Sequence, residues 1–283
     1  MFECVINVSE GRRSALLDEL SRAGGPSLRD RHSDVAHHRS VFTLINDPEP
    51  LVRDVRSMIT RAYELVDLRA HTGVHPRFGV VDVIPFVALD HRKRATACRL
   101  RDETARWLAQ RFDVPVFLYG ALDVDTTRTL PEIRRDAFTR LDPDFGPARA
   151  SSSRGAAAVG CRGVLVAWNL WLEGVTLAQA RAIAASLRSP VLRTLAFAFD
   201  DVVQVSCNVV DVDQIRLSTI YDAVRTLLEP GARVLRSELV GLAPRSLVER
   251  EDPDRWAQLD LGLERTIEAV TDAAPTPPVS DAR

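Results

Sequence analysis

The apolar pattern of the chain divides into two similar halves. In the first, Glu3–Val8 predicts a strand, and Arg12–Ala23 a helix with Leu16, Leu17 and Leu20 on one face, stopped by Gly24-Gly25-Pro26. Strands are predicted at Ser27–Arg31 and Ser40–Ile45. Pro48–Val66 carries Leu51, Val55, Met58, Ile59 and Ala62 at helical spacing, and Val80–Val87 is the next strand. The second half repeats the order. Gly163–Leu170 is a strand and Thr176–Leu187 a helix with Thr176 placed to cap it. Leu192–Phe199 and Val202–Val209 are strands joined by a tight turn at Asp200-Asp201, Ile215–Leu228 is a helix, and Ala232–Glu238 closes the unit. The repetition is one of pattern, not of residue identity. Two β-α-β-β-α-β units predict an α+β fold of two tandem ferredoxin-like subdomains, with mostly antiparallel sheets and helices on one face of each.

Between the halves lie a predicted helix at Arg94–Arg111, a strand at Val114–Tyr119 and a polar connector, Asp142–Arg154, rich in Pro, Gly and Ser. The connector sets the expected boundary, with residues 1–150 as one domain, 151–272 as the other and 273–283 as a disordered tail. The glycine-containing stretch Arg154–Gly160 lacks the Lys-Ser/Thr of a phosphate loop and is expected to be close packing or a hinge.

Composition narrows the function classes. Apolar residues are 46% and charged residues 27% of 283, the balance of a water-soluble fold. A net charge of -2 offers no general attraction to nucleic acid or to acidic membranes. Met1-Phe2-Glu3-Cys4 has no basic stretch followed by an apolar run, so no secretory signal is expected, and no stretch of about 18 apolar residues occurs. Cys4, Cys98, Cys161 and Cys207 are widely spaced, as expected of reduced thiols in a cytoplasmic protein. Lys93 is the only lysine, so the basic side chains are almost all arginines, which grip carboxylates in a two-pronged way.

Four segments carry candidate chemistry. In His71-Thr72-Gly73-Val74-His75-Pro76-Arg77, Pro76 forces His75 away from helical angles, so His71 and His75 do not share a helix face and a zinc pair there is disfavoured. An imidazole on a rigid loop before a core strand can take and give a proton near neutral pH, or be a loop histidine with both nitrogens satisfied. The run from Asp30 to Ser40, with His32, Asp34, His37, His38 and Arg39, reads as a solvated loop or as a polar wall of a substrate site; its spacing matches no firm metal pattern. Asn7-Val8-Ser9-Glu10-Gly11 stands at a helix start, whose backbone N–H groups attract anionic ligand groups, or where Ser9 simply caps and Glu10 favours the first turn, the reading that the spacing favours. Gln204, Ser206 and Asn208 share one face of a strand, suited to a heteroaromatic ligand or to water.

Taken in order, several segments resemble the formiminotransferase family, which includes free-standing glutamate formiminotransferases and the transferase domain of formiminotransferase-cyclodeaminase. They are Glu3–Gly11, His38–Thr43, His71–Arg77, Asp82–Phe86, Pro115–Gly120, Pro143–Pro147, Gly155–Arg162, Gln204–Asn208 and Glu238–Pro244. The resemblance implies a homodimer of tandem ferredoxin-like subdomains with a ligand groove between them. It also implies transfer of a formimino group from N-formiminoglutamate to N5 of tetrahydrofolate, a cosubstrate, without a metal. His75 falls on the catalytic histidine of the H-P-R motif. Arg39, Arg77 and Arg128 are candidates to hold substrate carboxylates, Asp82 or a nearby carbonyl to orient the imidazole. Asn7, Glu10, Asp30, His32, His37, His38, Gln204 and Asn208 complete the expected substrate- and folate-binding set. Three departures stand out: His38 where the family usually has Asn, Trp171 in place of the second Asn of an N-x-N pattern, and a short Leu187–Val191 connection. They keep open a relative that passes a formimino or formyl group to another amine, and a folate-binding protein without turnover.

Overall fold

Phe2, Cys4, Ile6 and Val8 alternate with Glu3, Val5 and Asn7. In the computed structural model, which describes residues 1–72, 77–123 and 126–272, this run is strand β1 (Phe2–Val8). The even-numbered side chains are buried against helices α1 (Ser14–Ala23) and α2 (Pro48–Leu65), whose Leu16, Leu17, Leu20, Leu51, Val55, Met58 and Ile59 supply the facing apolar stripes. Strands β2 (Leu28–Asp34) and β3 (Arg39–Asn46) form a hairpin, and β4 (Val81–Ala88) completes the expected β-α-β-β-α-β succession. Their spatial order is β2-β3-β1-β4, all antiparallel.

The first sheet does not stop there. After β4, helix α3 (Arg94–Phe112) crosses the same face and returns the chain as β5 (Val116–Ala121), followed by the short β6 (Thr127–Arg128) and helix α4 (Leu130–Asp136). The slot left between β4 and β5 is filled by β7 (Ala157–Arg162), parallel to both. The pairing is mostly antiparallel as expected, but two parallel pairings make this sheet a mixed one of seven strands, in the order β2-β3-β1-β4-β7-β5-β6. A strand–helix–strand crossover returns the chain parallel, and that geometry decides the outcome. Of the two expectations for Arg154–Gly160, close packing or a hinge, the structure shows close packing, with Ala157–Gly160 forming the start of β7. Its residues are small because both faces are covered: Ala157 and Val159 lie in the helix-side core, while Ala158 packs with Phe117, Tyr119 and Ile133 on the other side. Gly160 lies directly under the Tyr119 ring, where an added Cβ would fall 2.0 Å from Cζ.

The first compact unit spans Met1–Gly163, so β7 belongs to it although it lies beyond residue 150; the second unit begins at Val164. Strand β8 (Val166–Glu173) leads into α5 (Leu177–Leu187), started by a capping box in which Thr176 and Gln179 exchange backbone hydrogen bonds. Strands β9 (Leu192–Phe199) and β10 (Val202–Val209) form the expected hairpin, with Asp200 in its turn at positive φ. Helix α6 (Leu217–Leu227) and β11 (Arg233–Val240) follow. The order β9-β10-β8-β11 matches that of the first four strands, and every pair is antiparallel. Trp168, Leu170, Val203, Val205 and Cys207 face α5 and α6, while short helices at Arg245–Glu249, Trp256–Leu259 and Ile267–Asp272 end the described chain. Trp168 Nε1 donates to the Leu259 carbonyl at 2.8 Å, so the one polar atom of this buried indole is satisfied. Among the described residues no helix is long and apolar enough to cross a membrane. The tail from 273 lies outside them.

Gly160→Val tests the packing of β7. The added side chain meets the Tyr119 ring in a closed core, and overpacking of this kind costs about 1–3 kcal/mol. The expected result is a lower urea midpoint with an unchanged denaturant slope.

Candidate active site

The ends of β1 and β3 and the chain before β4 bring polar side chains together at one end of the first unit. The Asp30–Ser40 run is not the solvated loop that its composition suggested. Asp30–Asp34 are edge strand β2, and only residues 35–38 turn. The register sets His32 opposite Val41 and Asp30 opposite Thr43; Val41 in turn pairs with Asn7 and Thr43 with Val5, so these residues share the sheet face away from α1 and α2. Arg31 points the other way and bonds Asp18 of α1 at 2.7 Å. Asp34 closes the turn by accepting the His37 backbone N–H at 2.7 Å. His38 sits at φ 51°, a left-handed conformation that Asn, Asp and His adopt more readily than other side chains.

Glu10 is the hub, at 1% exposure. Its Oε1 accepts the backbone N–H groups of Arg12 at 2.8 Å and Arg13 at 3.0 Å, and Oε2 accepts Arg13 Nε at 2.6 Å. Burial pushes its pKa up, but the two amides and the Arg13 guanidinium outweigh that and hold it at about 2. Ser9 was expected to cap the helix; instead its hydroxyl donates to the Gly79 carbonyl at 2.8 Å, and no side chain caps α1, Glu10 holding only the two amides that precede it. Gly11 is required beside it, because an added Cβ would lie 2.3 Å from the Asp34 carbonyl oxygen and 2.6 Å from the Arg39 amide nitrogen.

His38 Nε2 lies 3.1 Å from Glu10 Oε1, and its Nδ1 lies 2.8 Å from the Thr72 carbonyl oxygen. Its ring stacks on that of His71, centroids 3.8 Å apart. His71 Nε2 is 2.9 Å from the His38 carbonyl oxygen and 3.1 Å from Arg77 Nε. Burial first, then His38 and Arg77, lower the His71 pKa to about 4, so the ring is neutral near pH 7. Arg77 is itself shifted down, by burial first, with Asp82 opposing and Arg12 adding to the shift. Its Nη2 is buried and makes no hydrogen bond among the described residues.

Arg39 donates from Nη2 to Asn7 Oδ1, and burial lowers its pKa to about 10, with Asp82 opposing and Arg134 adding to the shift. Asp82 is 2% exposed; its Oδ2 accepts Arg134 Nη2 at 2.8 Å and Oδ1 accepts the Phe78 backbone N–H at 2.9 Å. A carboxylate so engaged anchors the start of β4.

Asn7, Glu10, His38, Arg39, Arg77 and Asp82 are thus linked, directly or through neighbours, and Asp30 and His32 lie on the adjoining sheet face. His37 belongs to the turn. Arg128 does not join them: Nη1 bonds Asp144 Oδ2 at 2.7 Å and the Leu118 carbonyl at 3.2 Å. Gln204 and Asn208 belong to β10 in the second unit, opposite Trp171 and Ala167 of β8. There Trp171 Nε1 donates to Glu238 Oε2 at 2.9 Å, beneath the Arg236 guanidinium. His75 lies outside the described residues. Sequence reasoning left His71, Arg12 and Arg134 out of the site. His71 carried a signal in its H-x-x-x-H spacing, whereas Arg134 reaches Asp82 across 52 positions that no pattern links. Among the described residues no three His, Cys, Asp or Glu side chains converge as a metal site would require.

Comparison with known proteins gives consistent matches. Residues 1–162 match the family model "Formiminotransferase domain, N-terminal subdomain". The chain is similar to glutamate formimidoyltransferase of Thermoplasma acidophilum, 31% identical over 268 residues, covering 86% of this chain and 88% of that protein. It is similar to the enzyme of that name from Streptococcus pyogenes serotype M1, 29% identical over 264 residues with the same coverage. It is also 32% identical over 272 residues to formimidoyltransferase-cyclodeaminase of Rattus norvegicus, covering 86% of this chain but only 50% of that longer protein.

The shifted groups set the acid limb of stability. Between 6.5 and about 4 the unfolded chain takes up a proton at His71 that the folded chain refuses, so stability falls as pH falls through that window. Glu10 acts lower down: its contribution is complete above 4.5 and is lost as pH falls toward about 2. Urea titrations at a series of pH values are expected to show the upper step vanish in His71→Phe and the lower one shrink in Glu10→Gln.

Proposed function

The chain belongs to the formiminotransferase family, and from that premise we propose that it is a transferase moving a formimino group from N-formiminoglutamate to N5 of tetrahydrofolate. The folate supplies the nucleophilic nitrogen when bound. His75 takes the proton released from that nitrogen and returns one to the departing glutamate nitrogen; imidazole has the pKa for both. Arg77 is assigned to the substrate carboxylate. The observation that carries this assignment is its buried Nη2, a donor with no partner among the described residues that a carboxylate would complete. Arg39 stays charged at neutral pH and, oriented through Asn7, offers a second positive group at the same end of the sheet. Arg128 is a weaker candidate than its sequence position suggested, because Asp144 already neutralises it. We read both β-α-β-β-α-β units as ferredoxin-like subdomains, and include a homodimer and a cytoplasmic location in the proposal.

One observation favours a second reading, transfer to or from another amine. Trp171 fills a position on β8 where the resemblance sets Asn, and its indole is fixed by Glu238 and covered by Arg236. A flat aromatic surface there selects differently from an amide.

The deciding assay supplies tetrahydrofolate and N-formiminoglutamate and follows glutamate release. Turnover is expected, and His75→Ala is expected to lower kcat by roughly a hundred- to ten-thousandfold. Full activity in His75→Ala would remove the acid–base assignment. Folate binding measured by calorimetry without turnover would move the reaction to the second reading.

A further inference from the structure

We propose that His38 is a positioning residue: with Glu10 and His71 it forms a two-ring clamp that fixes the residues bracketing His75. The chain on either side of residues 73–76 is held by side chains from the other end of the sequence pattern. His38 gives a side-chain hydrogen bond to the backbone of Thr72 at 2.8 Å, and His71 gives one to the backbone of His38 at 2.9 Å. The exchange is reciprocal, and the two rings stack between these bonds at 3.8 Å. Arg12 ties the same segments again, from Nη1 to Thr72 Oγ1 at 3.4 Å and from Nε to the Val35 carbonyl at 3.0 Å. Downstream, Phe78 is fixed by its backbone N–H to Asp82 at 2.9 Å.

Hydrogen-bond accounting assigns the protons. Both nitrogens of His38 face oxygens that only accept, the Thr72 carbonyl and the ionised Glu10 carboxylate. Each contact is a hydrogen bond only through an N–H of the ring. His71 is constrained differently. Its Nε2 stands within hydrogen-bond reach of an acceptor, the His38 carbonyl, and of a donor, Arg77 Nε. One nitrogen of a neutral ring serves one of them. The Nε2–H form keeps the clamp closed but gives up the Arg77 Nε hydrogen bond; the Nδ1–H form keeps that bond, breaks the clamp and buries an N–H with no partner among the described residues. The structure therefore assigns the Nε2–H tautomer to His71. The charged and titratable groups around the pair are Glu10, Arg12, Arg13, Arg77 and, beyond Arg77, Asp82. This explains how a histidine serves at a position where the resemblance sets Asn. His tolerates the left-handed backbone there, and its two nitrogens span Glu10 and Thr72, which one amide group does not.

The test compares His38→Ala, His38→Asn, Glu10→Gln and the double variant Glu10→Gln/His38→Ala in the full chain. Hydrogen exchange is followed at the amides of residues 71–72 and 77–78, with the β8–β11 unit as an internal control for folding. This arm does not rest on the reading of the reaction. His38→Ala is expected to speed exchange there about tenfold or more, His38→Asn to speed it nearly as much, and the double variant no more than the larger single effect. Wild-type exchange in His38→Asn with loss only in His38→Ala would reduce His38 to a left-handed turn residue and overturn the clamp. Additive effects of Glu10→Gln and His38→Ala would overturn it as well. The kinetic arm rests on the proposed transferase reading: His38→Ala is expected to lower kcat about ten- to a hundredfold with KM within about threefold. A raised KM at unchanged kcat would make His38 a substrate contact instead. Wild-type protein without turnover would remove the transferase reading and leave the exchange result to decide the clamp.

Discussion

The buried carboxylate of Glu10 is the constraint on which the active end of the first unit depends. It accepts the Arg12 and Arg13 amides on the approach to α1, and it faces the His38 ring at the end of the β2–β3 turn. Its backbone carbonyl accepts the Ser40 hydroxyl at 2.6 Å. One residue thus joins the exit of β1, the start of α1 and the hairpin. Removing its charge from water is costly, so the site holds together only while the amides and Arg13 are in place to compensate.

The sheet beneath explains why this end is rigid. β1 is central, paired with β3 on one side and β4 on the other, and both neighbours carry polar residues at the same end. Asn7, Arg39 and Asp82 therefore come from three different strands or strand ends, not from one mobile loop. Extending the sheet through β7, β5 and β6 buries β4 on both edges and leaves its first residues as a fixed platform after the H-P-R segment. Positioning of this kind is what proton transfer between two bound substrates requires.

Much of the fold was legible because burial is one-sided. Helices with Leu16, Leu17 and Leu20, or with Ile220 and Val224, show the period of a surface helix, and β10 shows the period of a half-covered strand. β7 was not legible: Ala157, Ala158, Val159 and Gly160 are covered on both faces, so nothing alternates, and the glycine that signals a hinge in sequence is there to admit the Tyr119 ring. The polar run from Asp30 to Asp34 misled in the opposite way, since an edge strand carries polar side chains on a face that composition alone reads as loop.

The sequence by itself determined the two-fold β-α-β-β-α-β plan, the family and the H-P-R motif, because each is written in local periodicity or in short contiguous runs. Only the tertiary structure decided that Ser9 turns away from α1 to bond Gly79, that Arg128 is paired with Asp144, and that His38 stacks on His71 while its Nε2 meets the Glu10 carboxylate. Those outcomes depend on which distant groups share a desolvated space. There a charge is tolerable only beside a specific partner, and no local pattern along the chain records who that partner is.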